Sequence, residues 1–312
     1  MNSLDRSFAR RIDLTSLQLF VAVCEQGSIG RAAEQEFIAA SAVSKRLSDL
    51  EATVGAPLLE RHSRGVRLTA AGDSLLHHAR SLLYGLEKMQ GELQEYAGGV
   101  RGHVRIHANI SAIVQFLPED LGSFARAHPE VKIDLEEHLS SEVLDAVRQG
   151  AADIGICRLP TGGGANGVAE TLQRRSYRPD QLVLVVPQGH ALAGRSAIAF
   201  EDALDYDIVS LQAHSSLSLA MQQAAAAAGR TLKLRIRVTG LDAMCRMIDN
   251  GLGIGVLPER AFTLMQGVGR LRAVPLTDAW AQRELQLVAR DFDALPTTAR
   301  MLVEHLTSAS TP

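Results

Sequence analysis

The chain has 312 residues, 46% of them hydrophobic and 21% charged, with 32 Lys and Arg against 35 Asp and Glu for a formal net charge of −3. This composition belongs to two or three globular units and excludes disordered and collagen-like chains. Aromatics make up only 4%, so the core must be aliphatic and helical or α/β, and the mild acidity leaves any nucleic-acid affinity to a local cluster of cations.

Arg6, Arg10 and Arg11 stand near the start with no apolar run behind them, so no secretory leader is expected. The longest charge-free stretch, residues 208–229, is interrupted by Ser, Gln and His and is too polar to span a bilayer. Cys24, Cys157 and Cys245 lie far apart without a CxxC, which suits a reducing, cytoplasmic setting.

Leu14, Leu17, Leu19, Phe20 and Val23 keep helical spacing until Gly27. Ser28 is an N-cap for a short second helix, residues 29–35. A third helix follows a turn at residues 36–40, with Val43, Leu47, Leu50 and Val54 on one face and Gly55 and Pro57 stopping it. Residues 58–69 read as a hairpin in which Arg61, His62, Ser63, Arg64 and Gly65 separate two apolar pieces. Three short helices and a basic wing describe a winged helix-turn-helix. Ala32 and Ala33 allow a close helix crossing, and Ser41, Ser44, Lys45 and Ser48 form a polar face able to enter a major groove. Asp49 and Glu51 make that face only weakly basic, so a solvated helix in an ordinary bundle is the alternative.

Leu75, Ala79, Leu82, Leu86, Met89, Leu93 and Tyr96 then step by four and three, a heptad seam on a helix from about residue 73 to 96. Such a helix runs about 36 Å and needs a partner for its stripe; dimerisation is the simplest, with docking on the chain's own body as the alternative. Gly98 and Gly99 read as a hinge. Beyond Gly102 strands and helices alternate, with a Gly-rich loop at 161–167 and a five-residue apolar strand at 182–186 (LVLVV), which predicts mainly parallel sheets covered by helices. Two such α/β units leave a ligand cleft at the carboxyl ends of their strands.

The chain resembles the LysR-type transcriptional regulators. The resemblance is carried by residues 17–20 (LQLF), Gly27-Ser28, residues 31–33 (RAA), 42–47 (AVSKRL), Leu50-Glu51, 55–61 (GAPLLER), Leu68-Thr69 and Ala71-Gly72. It continues through Leu117-Pro118, residues 152–156 (ADIGI) and 251–258 (GLGIGVLP), so it covers essentially the whole chain. It implies an α/β protein with an N-terminal all-α winged helix-turn-helix (1–72), a linker dimerisation helix and hinge (73–99), and a two-lobed, periplasmic-binding-protein-like effector domain (100–312). Lobe I is expected at about 100–165 and 270–312, and lobe II at about 166–269.

By the same resemblance the protein binds double-stranded promoter DNA as a homotetramer, a dimer of linker-helix dimers, senses a small-molecule effector between the lobes and contacts RNA polymerase. Its DNA contacts fall on Ala40, Ser41, Ser44, Lys45, Arg64 and Thr69, with Arg31 near the backbone, and its dimer seam on Leu75, Ala79, Leu82, Leu86, Met89 and Leu93. The family's recognition helix opens with Ser or Thr followed by Gln; here Ala39 and Ala40 stand instead. An Ala N-cap forgoes about 1 kcal/mol, so Ser41 is expected to cap a slightly shortened helix, and Ala40 leaves only methyl contact for base readout.

The first strand of the second domain ends at Asn109-Ile110-Ser111 and leads into a helix, whose N-terminus attracts anions. In the resembling family this position contacts the inducer. Ser140, Ser141, Arg158, Gln212, Ser215 and Thr239 occupy other strand ends, and Arg158, the one obvious cation among them, suggests a small carboxylate. Arg158 as a surface arginine, Ser111 as an N-cap and Thr239 as a strand-end cap are the structural alternatives.

Other chemistry has little support. His77 and His78 diverge on a helix, and His103 and His107 lie about 13 Å apart along one strand, so neither pair is expected to share a metal, and no cofactor is expected. Residues 251–255 (GLGIG) lack the dinucleotide spacing. Cys157 reads as a buried strand cysteine in preference to a redox sensor. No nucleophile elbow, P-loop or HExxH is present, so no enzymatic activity is expected. The rival reading is a cytoplasmic small-molecule-binding protein whose N-terminal helices only mediate oligomerisation.

Overall fold

Asp13 opens α1 (Leu14–Gln26) by accepting hydrogen bonds from the N–H groups of Thr15 (2.9 Å) and Ser16 (3.3 Å), and Gly27 closes it in the left-handed conformation. The computed structural model describes Phe8 and residues 11–62, 65–96, 102–159, 171–265, 267 and 269–308, with the backbone alone at 87, 88, 91, 92 and 94–96. The chain divides into two units, the first built on residues up to Ala97 together with Gln149–Ala151, and the second on Gly98–Arg148 and residues from Ala152 onward.

In the first unit Ser28 caps α2 (Ile29–Gln35), and α3 (Ala40–Val54) ends at Gly55 with φ 78°. Ala32 and Ala33 are buried, so the small side chains expected to admit a close crossing do lie in the core with Leu17, Phe20, Val43, Leu47 and Leu50. The wing is an antiparallel hairpin, β1 (Leu59–His62) and β2 (Gly65–Leu68), registered Leu59 to Leu68 and His62 to Gly65. It is fastened to the end of α1 by Val66 N–H donating to the Gly27 carbonyl (3.1 Å). A Cβ on Gly65 would run into that same carbonyl oxygen, so glycine is required for this approach. The long helix α4 spans Ala70–Tyr96, three residues earlier than expected at its start, because Thr69 caps it by accepting from Gly72 N–H (3.0 Å).

In the second unit β3 (Gly102–Ala108) lies between two parallel neighbours, β4 (Val131–Glu137) and β5 (Ile154–Cys157). The helices α5 (Ile110–Gln115), α6 (Leu117–Ala127) and α7 (Ser140–Gln149) make the crossovers. The fifteen-residue β6 (Gln173–Pro187) runs through both lobes. Beyond it come α8 (Phe200–Ala203), β7 (Ile208–Leu211), α9 (Ser216–Ala227), β8 (Leu234–Val238), α10 (Leu241–Asp249), β9 (Gly255–Pro258) and α11 (Glu259–Leu264). The chain returns through β10 (Leu271–Pro275) and β11 (Gln282–Ala289) to α12 (Thr297–Ser308).

Two cores result. One gathers Val104, Ile106, Leu117, Phe124, Leu285 and Leu302; the other gathers residues 182–186 with Val209, Met221, Met244 and Val256. The pairing corrects the expected lobe borders. Residues 173–181 of β6 pair with β11 in lobe I, whereas residues 182–187 pair with β9 and β10. The strand at 271–275, expected in lobe I, therefore lies in lobe II, and the return crossing follows Pro275. The polar first half of β6 carries no apolar run, so only residues 182–186 were legible as a strand. Among the described residues no helix is long and apolar enough to cross a membrane.

Candidate functional site

On α3 the buried stripe Val43, Leu47 and Leu50 turns the opposite face outward, leaving Ala40, Ser41, Lys45 and Ser48 exposed. The helix starts at Ala40 with Ala39 as an N-cap that makes no side-chain hydrogen bond, so Ser41 does not cap a shortened helix and its hydroxyl stays on the outer first turn. Ser44 is half-buried and accepts a hydrogen bond from Arg61 Nη1 on β1 (2.9 Å). Arg61 thus ties the wing to the recognition helix and brings a cation to its face. Arg61 is exposed although it shares the strand phase of the buried Leu59. Arg67, exposed on β2 opposite Glu60, adds a second wing cation. Arg46 is held by Asp13 at 3.0 Å.

Arg31 is exposed, and its guanidinium donates to the carbonyl of Gln26 at the end of α1. The Thr69 hydroxyl donates to the Pro57 carbonyl (2.7 Å) while accepting from Gly72, so its bonds serve the wing–helix junction. Arg64 lies outside the described residues, as does the Gly-rich loop 161–167.

The heptad seam on α4 divides in two. Ala79 is buried and Leu75 half-buried against the helix-turn-helix core, where Leu76 joins them. Farther along, Leu82, Met89 and Leu93 are exposed by 55%, 51% and 60%, and Leu86 is half-buried. The first turns are thus covered by the chain itself, and only the stretch from Leu82 onward presents an open apolar stripe.

In the second unit a cleft is lined by Asn109, Ile110, Glu137, His138, Leu139, Ser140, Leu211, Gln212, Ser215, Ser216, Leu217 and Thr239. Five expected residues are brought together here: Asn109, Ser140, Gln212, Ser215 and Thr239. Asn109 caps α5 through Ala112 N–H (3.0 Å) and donates to the Ser140 hydroxyl (3.2 Å). Ser215 caps α9 through Ser218 N–H (3.1 Å). The N-termini of α7 and α9 and the turn before α10 therefore face one cleft, where their dipoles favour negative charge and the Glu137 side of the lining opposes it.

Ser111, Ser141 and Arg158 are not on that wall. Ser141 is exposed, and the cap that Ser111 might have supplied is made by Asn109. Ser111 is buried instead, and its hydroxyl has no hydrogen-bond partner among the described residues. Next to it lies a buried polar chain that sequence reading missed. Gln115 donates to the Ser111 carbonyl (3.0 Å) and to Asp180 Oδ1 (3.1 Å), and Arg283 Nη2 donates to Asp180 Oδ2. Arg283 Nε and Nη1 lack partners among the described residues. Arg158 is half-buried and within electrostatic reach of Asp180. Burial works against the charge of both arginines and lowers their pKa values, and Asp180 opposes this for each.

Family comparisons agree with this architecture. Residues 14–73 match the bacterial regulatory helix-turn-helix protein, lysR family, and residues 97–311 match the LysR substrate binding domain. The chain is 30% identical over 274 residues to the HTH-type transcriptional regulator AlsR of Bacillus subtilis (strain 168), covering 86% of this chain and 89% of AlsR. A full-length OxyR variant from Pseudomonas aeruginosa superposes with a TM-score of 0.70 at 19% identity, over 96% of this chain and 94% of that one. Full-length CbnR complexed with its target DNA superposes with a TM-score of 0.64 at 19% identity, over 96% and 100%. These two structures share the fold, and the matched families span both units: the chain belongs to the LysR family of DNA-binding transcriptional regulators with a ligand-binding second domain.

Proposed function

We propose that this regulator reads promoter DNA with Ala40, Ser41, Ser44 and Lys45 of α3, supported by Arg31, Arg61 and the wing, and that a small anionic metabolite in the cleft controls it. The observation that carries the anion assignment is the convergence of the α7 and α9 N-termini on the cleft that Asn109, Ser140, Ser215 and Thr239 line. The open stripe Leu82, Leu86, Met89 and Leu93 supports assembly through α4, with two copies presenting two recognition helices to an inverted repeat. RNA polymerase is the downstream partner in this reading, the site of action is the cytoplasm, and the protein is not an enzyme.

A redox signal is the weaker reading. Burial pushes the thiol of Cys157 up to about 12, that of Cys24 to about 12 and that of Cys245 to about 11, far from a reactive thiolate.

The test is a thermal-shift screen of the full-length protein against small carboxylates and phosphates paired with neutral isosteres, followed by anisotropy titration of a labelled promoter duplex. Anions should raise the melting temperature and change duplex affinity, and their isosteres should do neither. Stabilisation by neutral compounds alone would remove the anion assignment. Failure to bind any duplex from neighbouring genomic DNA at low salt would favour a ligand-binding protein without DNA recognition.

A further inference from the structure

Along β3 alone His103 and His107 are too far apart to meet, but parallel pairing with β4 creates a different cluster. Register places His107 directly beside Glu136. The two-residue period of a strand then puts residue 138 on the same face as 136. His138 Nε2 lies 2.8 Å from Glu136 Oε2, His107 Nε2 lies 3.7 Å from the same oxygen, and the two imidazoles stack with centroids 4.4 Å apart. One donor atom from each of the three residues falls within 4.8 Å of the others. We propose that His107, Glu136 and His138 form a binding site for a divalent transition-metal ion of the Zn²⁺ type.

Three further observations bear on this. Tetrahedral coordination with bonds of about 2.0 Å sets donor atoms about 3.3 Å apart, and the 2.8 and 3.7 Å separations bracket that value. The His107 side chain is only 12% exposed, yet Nδ1 has no hydrogen-bond partner among the described residues and its Nε2 contact is too long to be a hydrogen bond. Nε2, the nitrogen that faces Glu136, is the one open to a cation, and Nδ1 keeps no protein partner among the described residues whether or not the ion is bound. His138 Nδ1 faces the Glu142 carboxylate at 3.8 Å, and Glu142 is itself anchored by Leu139 N–H (2.9 Å). A carboxylate that accepts from the second ring nitrogen orients a metal-binding histidine; at 3.8 Å Glu142 stands on that side of His138 without bonding to it.

Two imidazoles and one carboxylate select Zn²⁺, Co²⁺, Ni²⁺ or Cu²⁺ over Mg²⁺ and Ca²⁺, which take oxygen ligands. Three protein ligands leave a fourth position for water or an anion. One of the three ligands, His138, also lines the cleft.

The experiment uses full-length, tag-free protein stripped with chelator and titrated with Zn²⁺, Co²⁺ and Mg²⁺ by calorimetry, with the visible Co²⁺ spectrum read in parallel. One Zn²⁺ per chain, a nitrogen-ligated tetrahedral Co²⁺ spectrum and no Mg²⁺ heat are expected. Glu136→Gln and His138→Ala should each weaken Zn²⁺ binding by more than about 100-fold, the upper end for loss of a mere outer-shell partner, while His103→Ala leaves it unchanged. Glu136 is half exposed, so its variant keeps the fold and carries the test if His107→Ala does not. Absence of stoichiometric Zn²⁺ uptake, equal uptake of Mg²⁺, or wild-type affinity in both Glu136→Gln and His138→Ala would each overturn the proposal.

Discussion

Asp180 and Arg283 face each other across the β6–β11 ladder, and neither side chain has any exposed surface. A buried pair of this kind adds little net stability, but losing one partner strands a charge in the interior. Asp180→Asn should therefore destabilise the protein by about 3–5 kcal/mol, read from urea unfolding. A loss below about 1 kcal/mol would mean that water or an anion solvates Arg283. Phe37 presents the opposite case. It is 96% exposed and holds φ 54° in the turn between α2 and α3, where a side chain costs about 1–2 kcal/mol. Phe37→Gly should raise the unfolding midpoint, with a net gain of about 0.5–1 kcal/mol after the added unfolded-state entropy; a lower midpoint would show that the ring makes stabilising contacts. At this scale legibility followed locality. Ser28 and Gly27 announced their roles because caps are set by neighbours in sequence. Arg283 was invisible, because an arginine in a strand reads as exposed until a carboxylate from a distant strand is found beside it.

Among the elements, α4 shows how one periodic pattern can serve two surfaces. The four-three spacing was correctly legible as a helical stripe, but spacing does not say what covers it. Leu76 and Ala79 pack into the helix-turn-helix core, while Leu82, Met89 and Leu93 remain open. Leu76→Ala should cost about 2–5 kcal/mol as a core truncation. Leu82→Asp should leave the folding of the unit unchanged and dissociate the oligomer in sedimentation equilibrium. An unaltered oligomer in the Leu82 variant would place the subunit contact elsewhere. The sheet shows a similar limit. Residues 182–186 of β6 were evident as a buried run, but Gln173 to Arg178 were not, because a polar segment paired mainly through its backbone carries no hydrophobic signal. The cleft was legible at the level of strand ends. Which side chains turn into it was not, as Ser111 and Arg158 demonstrate.

For the whole molecule, electrostatics and base recognition make separable demands. A net charge of −3 provides no global attraction to DNA, and in the proposed reading affinity comes from local cations such as Lys45, Arg61 and Arg67, which stand exposed on one unit. Each phosphate neutralised releases counterions and adds about 0.9 to the slope of log affinity against log salt. Lys45→Ala should reduce that slope by about one for each recognition helix engaged, weakening all duplexes alike. Ala40→Gln adds no charge but introduces an amide that can bond adenine, so it should redirect base preference with the slope intact. Anisotropy titrations over a salt series, combined with selection from a randomised operator, measure both quantities on the same pair of variants. A Lys45 variant with an unchanged slope would remove α3 from the phosphate interface, and an Ala40 variant with unchanged preference would show that its first turn does not meet base edges.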